Sequence, residues 1–181
     1  FDEALEYFKK AIELDPHCWS AYNHIAYIYN KQKKIDEVIT TLEKHTAIFP
    51  QDYYACNTLA SFYFAKKRMN DAIPLFQRAI KTKPDFMLSY DNLSACYMDL
   101  KEYNEVILIC DSALKIKPLY YKAIQNKAAA YAHLKKNDDA IAVMQDFLKL
   151  YPNHSLAYGD LGTYYELDKR YDEAISAYKK S

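Results

Sequence analysis

Glycine is almost absent from this chain, which has 2 glycines among 181 residues. Tight β-hairpin turns and phosphate-binding loops depend on glycine, so its scarcity argues against a turn-rich β fold and against a nucleotide-binding loop. A charge excess of either sign is also missing, since 24 Lys and Arg residues balance 24 Asp and Glu residues. A neutral chain lacks the basic surface that nucleic acid requires, so we expect no nucleic-acid partner.

Long apolar runs and catalytic motifs are missing as well. No stretch approaches the ~20 apolar residues of a membrane-spanning helix, so membrane insertion is not expected. The GxxxxGK, HExxH and GxSxG patterns do not occur. The four cysteines form no CxxC pair, and the five histidines have no Cys or carboxylate partner at ligand spacing. The sequence therefore predicts no enzyme, no metal site and no cofactor.

Free thiols favour a reducing compartment, and we therefore expect a cytoplasmic protein. The chain starts with Phe1 and not with Met, which indicates that the true N-terminus is missing. A periplasmic or other location thus remains open.

Prolines supply the strongest positive signal, because five of the six recur every 34 residues: Pro16, Pro50, Pro84, Pro118 and Pro152. In this register the segment FDEALEYFKK at the start aligns with YDEAISAYKK near the end. A fixed period of this length is typical of repeat proteins.

Apolar columns recur within the period at helical spacing. The first stripe has columns at relative positions 0, 3, 4 and 7, headed by Tyr22, Ile25, Ala26 and Tyr29. The second stripe is headed by Ala4, Phe8 and Ala11. These spacings place each stripe on one face of a helix, so every repeat contains two amphipathic helices. Small columns alternate with large ones, as close helix packing requires.

The period and these columns closely resemble the tetratricopeptide repeat over the whole chain. The resemblance implies an all-α, right-handed superhelical α-solenoid of antiparallel helix pairs, with the first helix of each pair lining a concave groove. We expect 11 helices in a single array over residues 1–181. Residues 1–16 would be the second helix of a truncated repeat, followed by repeats at 19–52, 53–86, 87–120, 121–154 and 155–181.

Neither end of the array has a polar capping helix, which a repeat protein needs for solubility. The sequence is therefore expected to be a fragment of a longer protein. Uncapped ends would expose apolar surface and favour end-to-end self-association.

Four residues break the repeat pattern. Pro74 is expected to kink or loosen a second helix. His45 and Phe147 stand in a column that is otherwise small, so each should displace its helix or point partly to solvent. Lys127 replaces a core leucine, and its amine is expected to reach water while its stem packs.

The resemblance also assigns the groove-lining columns, which are rich in amides and aromatic residues. Amides match the donors and acceptors of a peptide backbone, and aromatic residues often anchor partners. The predicted partner-binding residues are Asn23, Tyr27, Tyr54, Asn57, Phe64, Leu88, Asp91, Asn92, Lys122, Gln125 and Asn126.

Groove charges indicate a neutral or basic protein or peptide partner, because Asp91, Asp99, Asp160 and Glu166 face only Lys31 and Lys122. Some family members hold the C-terminal carboxylate of a chaperone with two lysines, two asparagines and an arginine. This chain matches that clamp only at Asn92 and Lys122. Such a clamp is therefore not expected.

The function predicted from these features is a non-enzymatic protein–protein interaction scaffold that binds a partner peptide or helix along the groove. Two alternatives remain at this stage. In the first, the array is a substrate-recognition module of a larger enzyme, such as an O-linked glycosyltransferase with its asparagine ladder. In the second, it is an architectural segment of a multisubunit complex.

Overall fold

The computed structural model describes all of residues 1–181 and contains only helices. Eleven helices follow one another along the chain, as the repeat period predicts. They are α1 (Asp2–Leu14), α2 (Trp19–Lys31), α3 (Ile35–Ile48), α4 (Tyr53–Ala65), α5 (Met69–Thr82), α6 (Met87–Asp99), α7 (Tyr103–Ile116), α8 (Tyr121–His133), α9 (Asn137–Leu150), α10 (Ser155–Leu167) and α11 (Tyr171–Tyr178). The fold is an α-solenoid of helix pairs.

Two compact units make up the chain, unit 1 at Phe1–Ser89 and unit 2 at Tyr90–Ser181. In unit 1, each of α1 to α4 packs against the helix that follows it. In unit 2, α7 to α11 pack in the same sequential way, and α8 also contacts α10. Consecutive helices joined by short loops lie antiparallel.

Buried side chains come from the columns that the period predicts. The column of small residues that begins at Ala26 is closed to solvent at Ala60, Ser94 and Ala128. At its last position Gly162 is needed, because a Cβ there would lie 2.6 Å from the ring of Tyr178. Small residues let neighbouring backbones approach, and the large columns fill the remaining space.

A lysine in the left-handed backbone conformation ends the turn within every complete helix pair: Lys33, Lys67, Lys101, Lys135 and Lys169. Their φ angles lie between 59° and 63°. The residue after each lysine donates its N–H to a tyrosine carbonyl five residues earlier, for example Lys34 to Tyr29 at 2.9 Å. This is the Schellman arrangement, which usually has glycine at this position.

Helix ends next to the repeat prolines follow the expected rule. Each proline lies two residues beyond the last residue of a second helix, as Pro50 follows Ile48. Pro74 is different because it lies inside α5, which continues unbroken from Met69 to Thr82.

Two of the irregular residues are buried and do not point to solvent, so that part of the prediction is wrong. His45 is 0% exposed and lies among the rings of Tyr22 and Phe49. Phe147 is 5% exposed and contacts the rings of Tyr121 and Tyr151, among others. Aromatic neighbours accommodate the larger side chain where other repeats have alanine.

Lys127 has a partner that the sequence did not reveal. Its amine lies 2.6 Å from a carboxylate oxygen of Asp111, and its side chain is 21% exposed. The amine is therefore held by an ion pair at the edge of the core.

Candidate functional site

The exposed side of the first helices is the candidate site, and we call it the first-helix face. In unit 1 it is formed by α2 and α4, and in unit 2 by α6, α8 and α10. Tyr27 on α2 is 55% exposed and Tyr54 on α4 is 59% exposed. Rings exposed to this extent do not fill the core, so they are available for contact with a partner.

A cavity of about 350 Å³ opens on this face between α2 and α4. Tyr27 and Tyr54 stand at its mouth, and three polar residues, Asn23, Asn30 and Thr58, line its walls. We call this space the unit 1 cavity.

The floor of the unit 1 cavity is apolar. It includes Ala26, Val38, Leu42 and Ala55, none of which is more than 8% exposed. Phe62 completes the lining. No Asp, Glu, Lys, Arg or His lines the cavity.

Local helix structure fixes the mouth of the cavity. The carboxylate of Asp52 caps α4 by accepting a hydrogen bond from the N–H of Ala55 at 2.9 Å. This cap sets the start of the helix that carries Tyr54 and Thr58. The hydroxyl of Thr58 donates to the carbonyl of Tyr54 at 2.8 Å, so only its lone pairs face a ligand.

Cations approach two of the rings on the first-helix face of unit 1. The amine of Lys31 lies 5.4 Å from the ring centre of Tyr27, and that of Lys67 lies 5.7 Å from the ring centre of Phe64. Phe64 is half-buried, whereas Leu88 at the end of unit 1 is 47% exposed.

Asn57 does not present its amide to solvent. It is 4% exposed, and its side-chain oxygen accepts a hydrogen bond from the fully buried hydroxyl of Ser89 at 3.0 Å. The structure therefore gives Asn57 a packing role between α4 and the start of α6.

Unit 2 carries carboxylates on its first-helix face. Asp91 on α6 accepts a short hydrogen bond from the phenol of Tyr120. Burial raises the pKa of Asp91, and the hydrogen bond from Tyr120 and the charge of Lys122 oppose this shift. Lys122 itself is exposed on α8.

Asp160 is bridged to α8 by two donors. The phenol of Tyr121 donates to its Oδ2 at 2.7 Å, and the amide of Gln125 donates to the same oxygen at 2.9 Å. Gln125 is thus engaged with α10. Asn92 on α6 and Asn126 on α8 are both half-buried on this face.

Thr58, Asn30 and Phe62 were absent from the residues predicted to bind a partner, although they line the unit 1 cavity. Thr58 and Asn30 belong to groove columns, so the signal existed. Tyr120 and Tyr121 were also missed, because their hydrogen bonds join residues 29 and 39 positions apart.

Nucleophilic chemistry has little support in the structure. The thiols of Cys56, Cys96 and Cys110 are buried, and burial raises the pKa of Cys96 and of Cys110 to about 11. Such thiols stay protonated at neutral pH and are poor nucleophiles. No three His, Cys, Asp or Glu side chains come together as a metal-binding group. None of the helices has the length and apolar character needed to cross a lipid bilayer.

Solved structures similar to this chain include MamA and YrrB. A crystal structure of MamA aligns with a TM-score of 0.75 and 21% identity, covering 90% of this chain and 88% of that one. MamA from Desulfovibrio magneticus RS-1 aligns with a TM-score of 0.73 and 15% identity, covering 90% of this chain and 92% of that one. YrrB, described as a TPR protein with an unusual peptide-binding site, aligns with a TM-score of 0.72 and 16% identity, covering 97% of this chain and 91% of that one. At these identities the likeness shows the fold.

No curated protein matches the sequence at a significant level. Three sequence profiles, each described as Tetratricopeptide repeat, match residues 1–55, 53–86 and 126–181. Together with the 34-residue period and the eleven helices, these matches mean that the chain belongs to the tetratricopeptide repeat family.

Proposed function

We propose that this chain is a protein-interaction scaffold that binds an extended segment of a partner protein along its first-helix face. The observation that carries the proposal is the pair of exposed tyrosines, Tyr27 and Tyr54, beside an open cavity. Exposed aromatic side chains on a rigid surface are typical anchors of protein interfaces. The peptide-binding site of YrrB, a protein of similar fold, favours a peptide ligand here as well.

A preformed surface suits this function energetically. Helix packing already orders the side chains of the first-helix face, so binding loses little conformational entropy in the receptor. The amides of Asn23, Asn30 and Asn126 remain close enough to the surface to bond a peptide backbone.

The charge of the face favours a neutral or basic partner segment. The unit 1 cavity has no charged lining residue, and unit 2 presents Asp91 and Asp160 beside the single amine of Lys122. Along unit 2 an acidic segment would meet these carboxylates with no compensating cluster of cations. The proposal involves no catalytic step and no cofactor.

The glycosyltransferase-type alternative depends on an asparagine ladder, which this chain has only at Asn92 and Asn126. The other positions of that column are His24, Thr58 and Asp160. An architectural role remains the other alternative, with contacts on surfaces other than the first-helix face. We also keep end-to-end self-association as a separate proposal, to be tested by light scattering at increasing concentration.

Selection of short random peptides on the immobilised chain tests the proposal. We expect selected peptides to bind the double variant Tyr27→Ala/Tyr54→Ala at least about tenfold more weakly than the wild type, since each lost ring removes about 1.5–3 kcal/mol of burial. The matched control is Tyr7→Ala/Tyr171→Ala, which removes two tyrosines that are 68% and 59% exposed elsewhere. Equal binding to both double variants, or no selected peptide, would contradict the proposal.

A further inference from the structure

We propose that the unit 1 cavity is a subsite for one large, uncharged apolar side chain of the partner segment. The inference rests on the proposed function, because it specifies what part of the partner enters this face. It follows from the lining of the cavity, from its size and from the contrast with the same positions in unit 2.

The lining of the cavity selects against charge. Its floor is built from buried aliphatic side chains, including Val38 at 1% and Leu42 at 2% exposure. Its polar wall groups are neutral amides and a hydroxyl. A charged side chain that reached the apolar floor would lose hydration without gaining a counter-ion from the lining, whereas an apolar one would displace water from apolar surface.

The size of the cavity fits a single side chain with room to spare. Its volume of about 350 Å³ lies near the lower end of the range for ligand-binding pockets. The exposed rings of Tyr27 and Tyr54 at the mouth would cover the entering group on both sides. The amides of Asn23 and Asn30 make no side-chain hydrogen bond within the protein, so both remain available to the backbone of the bound segment.

The corresponding positions in unit 2 are joined by a hydrogen bond, so the arrangement around the unit 1 cavity is not a general property of the repeat. Asn23 and Thr58 correspond, three periods on, to Gln125 and Asp160. Gln125 donates to Asp160 at 2.9 Å and so joins α8 to α10 directly. In unit 1 the hydroxyl of Thr58 turns back to its own helix at Tyr54, and no hydrogen bond joins it to Asn23.

Tyr27 and Tyr54 also lack counterparts of their kind. The corresponding residues in unit 2 are Ala129 and Leu156. The aromatic mouth and the missing cross-bridge therefore occur together, at one place in the chain.

Methyl NMR of the whole chain with small aromatic probes tests the subsite directly. The probes are benzyl alcohol and benzylamine, which have nearly the same shape and differ in charge at neutral pH. We expect benzyl alcohol to shift the methyl signals of Ala26, Val38, Leu42 and Ala55 with a dissociation constant of about 1 mM. Benzylamine should bind at least about tenfold more weakly, because its cation would be desolvated.

A matched pair of threonine variants locates the binding. Thr58→Phe fills the cavity and should abolish the methyl shifts. Thr40→Phe is the control, since Thr40 is exposed on α3 and donates to its own helix at Asp36 in the same way. If Thr58→Phe does not fold, Tyr54→Ala serves instead, because it removes one wall of the mouth and should weaken binding several-fold.

Three results would overturn the inference. They are the absence of cavity methyl shifts at high benzyl alcohol concentration, equal binding of benzylamine, and unchanged binding by the Thr58→Phe or Tyr54→Ala variant.

Peptides selected on the wild type separate this inference from the proposed function. We expect them to share a large apolar residue at one position, and its replacement by Lys should weaken binding about tenfold. Peptides that bind the first-helix face without such a residue would overturn the subsite and leave the proposed function intact. Binding of benzyl alcohol by a chain that selects no peptide would overturn the proposed function and leave the apolar chemistry of the cavity established.

Discussion

At the scale of single residues, the turn lysines explain how the chain builds its turns with only 2 glycines. A lysine column at 33, 67, 101, 135 and 169 takes the left-handed position in each complete helix pair. The column is visible in the sequence, but lysine gives no signal for a positive φ angle, so the sequence could not predict this turn. A side chain in this conformation costs roughly 1–2 kcal/mol of strain.

Replacing Lys101 by Gly should therefore stabilise the protein. Glycine removes the left-handed strain, but it costs about 0.4–1 kcal/mol because it gives the unfolded chain more conformational freedom. We therefore expect the free energy of unfolding to rise by about 0.5–1 kcal/mol. The thermal unfolding midpoint measures this change. Lys44→Gly is the control, because Lys44 lies inside α3, where glycine should cost about 1 kcal/mol. A lower midpoint for Lys101→Gly would contradict the strain argument.

His45 is a second residue whose environment has a measurable consequence. Its Nε2 lies 3.0 Å from a carboxylate oxygen of Asp52, yet neither ring nitrogen makes a well-aligned hydrogen bond. Burial lowers the pKa of His45 below its ordinary 6.5, and attraction by Asp52 opposes this shift only in part. The unfolded chain therefore binds a proton more readily than the folded chain.

Stability should consequently fall as the pH drops below about 6.5, where the unfolded His45 becomes protonated, and continue to fall until the folded residue is protonated too. Urea unfolding from about pH 7.5 to about pH 5 measures the trend. His45→Phe should lose less stability over this range, since phenylalanine occupies the same column at position 147. The same pH dependence in both proteins would show that His45 is not responsible.

At the scale of elements, α5 is a helix that tolerates an internal proline. Pro74 has no N–H to donate to the carbonyl of Asn70, one turn earlier, and an interior proline costs about 3 kcal/mol relative to alanine. The helix nevertheless continues from Met69 to Thr82, because α5 packs against α4 and buries residues such as Leu75 and Phe76. Tertiary packing outweighs local propensity here.

Pro74→Ala should raise the thermal unfolding midpoint, because it restores a backbone hydrogen bond and removes a clash. The gain should be about 2–2.5 kcal/mol after the loss of the rigidity that proline gives to the unfolded chain. Pro84→Ala is the control, since Pro84 lies in the loop after α5 and should give no gain. A gain of the same size for both variants would contradict the helical explanation.

The bond between Asn57 and Ser89 connects α4 to the start of α6 within unit 1. Asn57→Ala leaves the fully buried hydroxyl of Ser89 without this acceptor, so we expect a loss of about 1–3 kcal/mol. The double variant Asn57→Ala/Ser89→Ala should lose less than the sum of the single variants, as urea unfolding would show. Strict additivity would mean that the two side chains do not depend on each other.

Helix positions were predictable from the sequence because the period fixes which residues are buried. The state of each candidate site residue was not. Asn23 and Asn57 stand in the same column, but Asn23 is only half-buried, whereas Asn57 is buried and accepts a hydrogen bond from Ser89. One period before Ser89 the chain has Ala55, which cannot donate such a bond. The unit 1 cavity likewise depends on whether side chains of α2 and α4 hydrogen-bond to each other. That cannot be read from any single column of the repeat.

At the scale of the whole molecule, the two units present different chemistry on their first-helix faces. Unit 1 has an uncharged cavity with exposed tyrosines, whereas unit 2 has carboxylates held by Tyr120 and Tyr121. A repeat array allows this because each face residue contacts only neighbouring helices, so one repeat can change without disturbing distant ones.

Site-specific photo-crosslinking in the cells that make the protein tests the central claim most directly. A photoreactive amino acid is placed at Asn30 or Thr58 on the first-helix face, and at Thr40 on α3 for comparison. Our account predicts that the same partner protein crosslinks from Asn30 and Thr58 and not from Thr40. A partner that crosslinks from Thr40 alone would contradict it and would show that the array binds through its second helices.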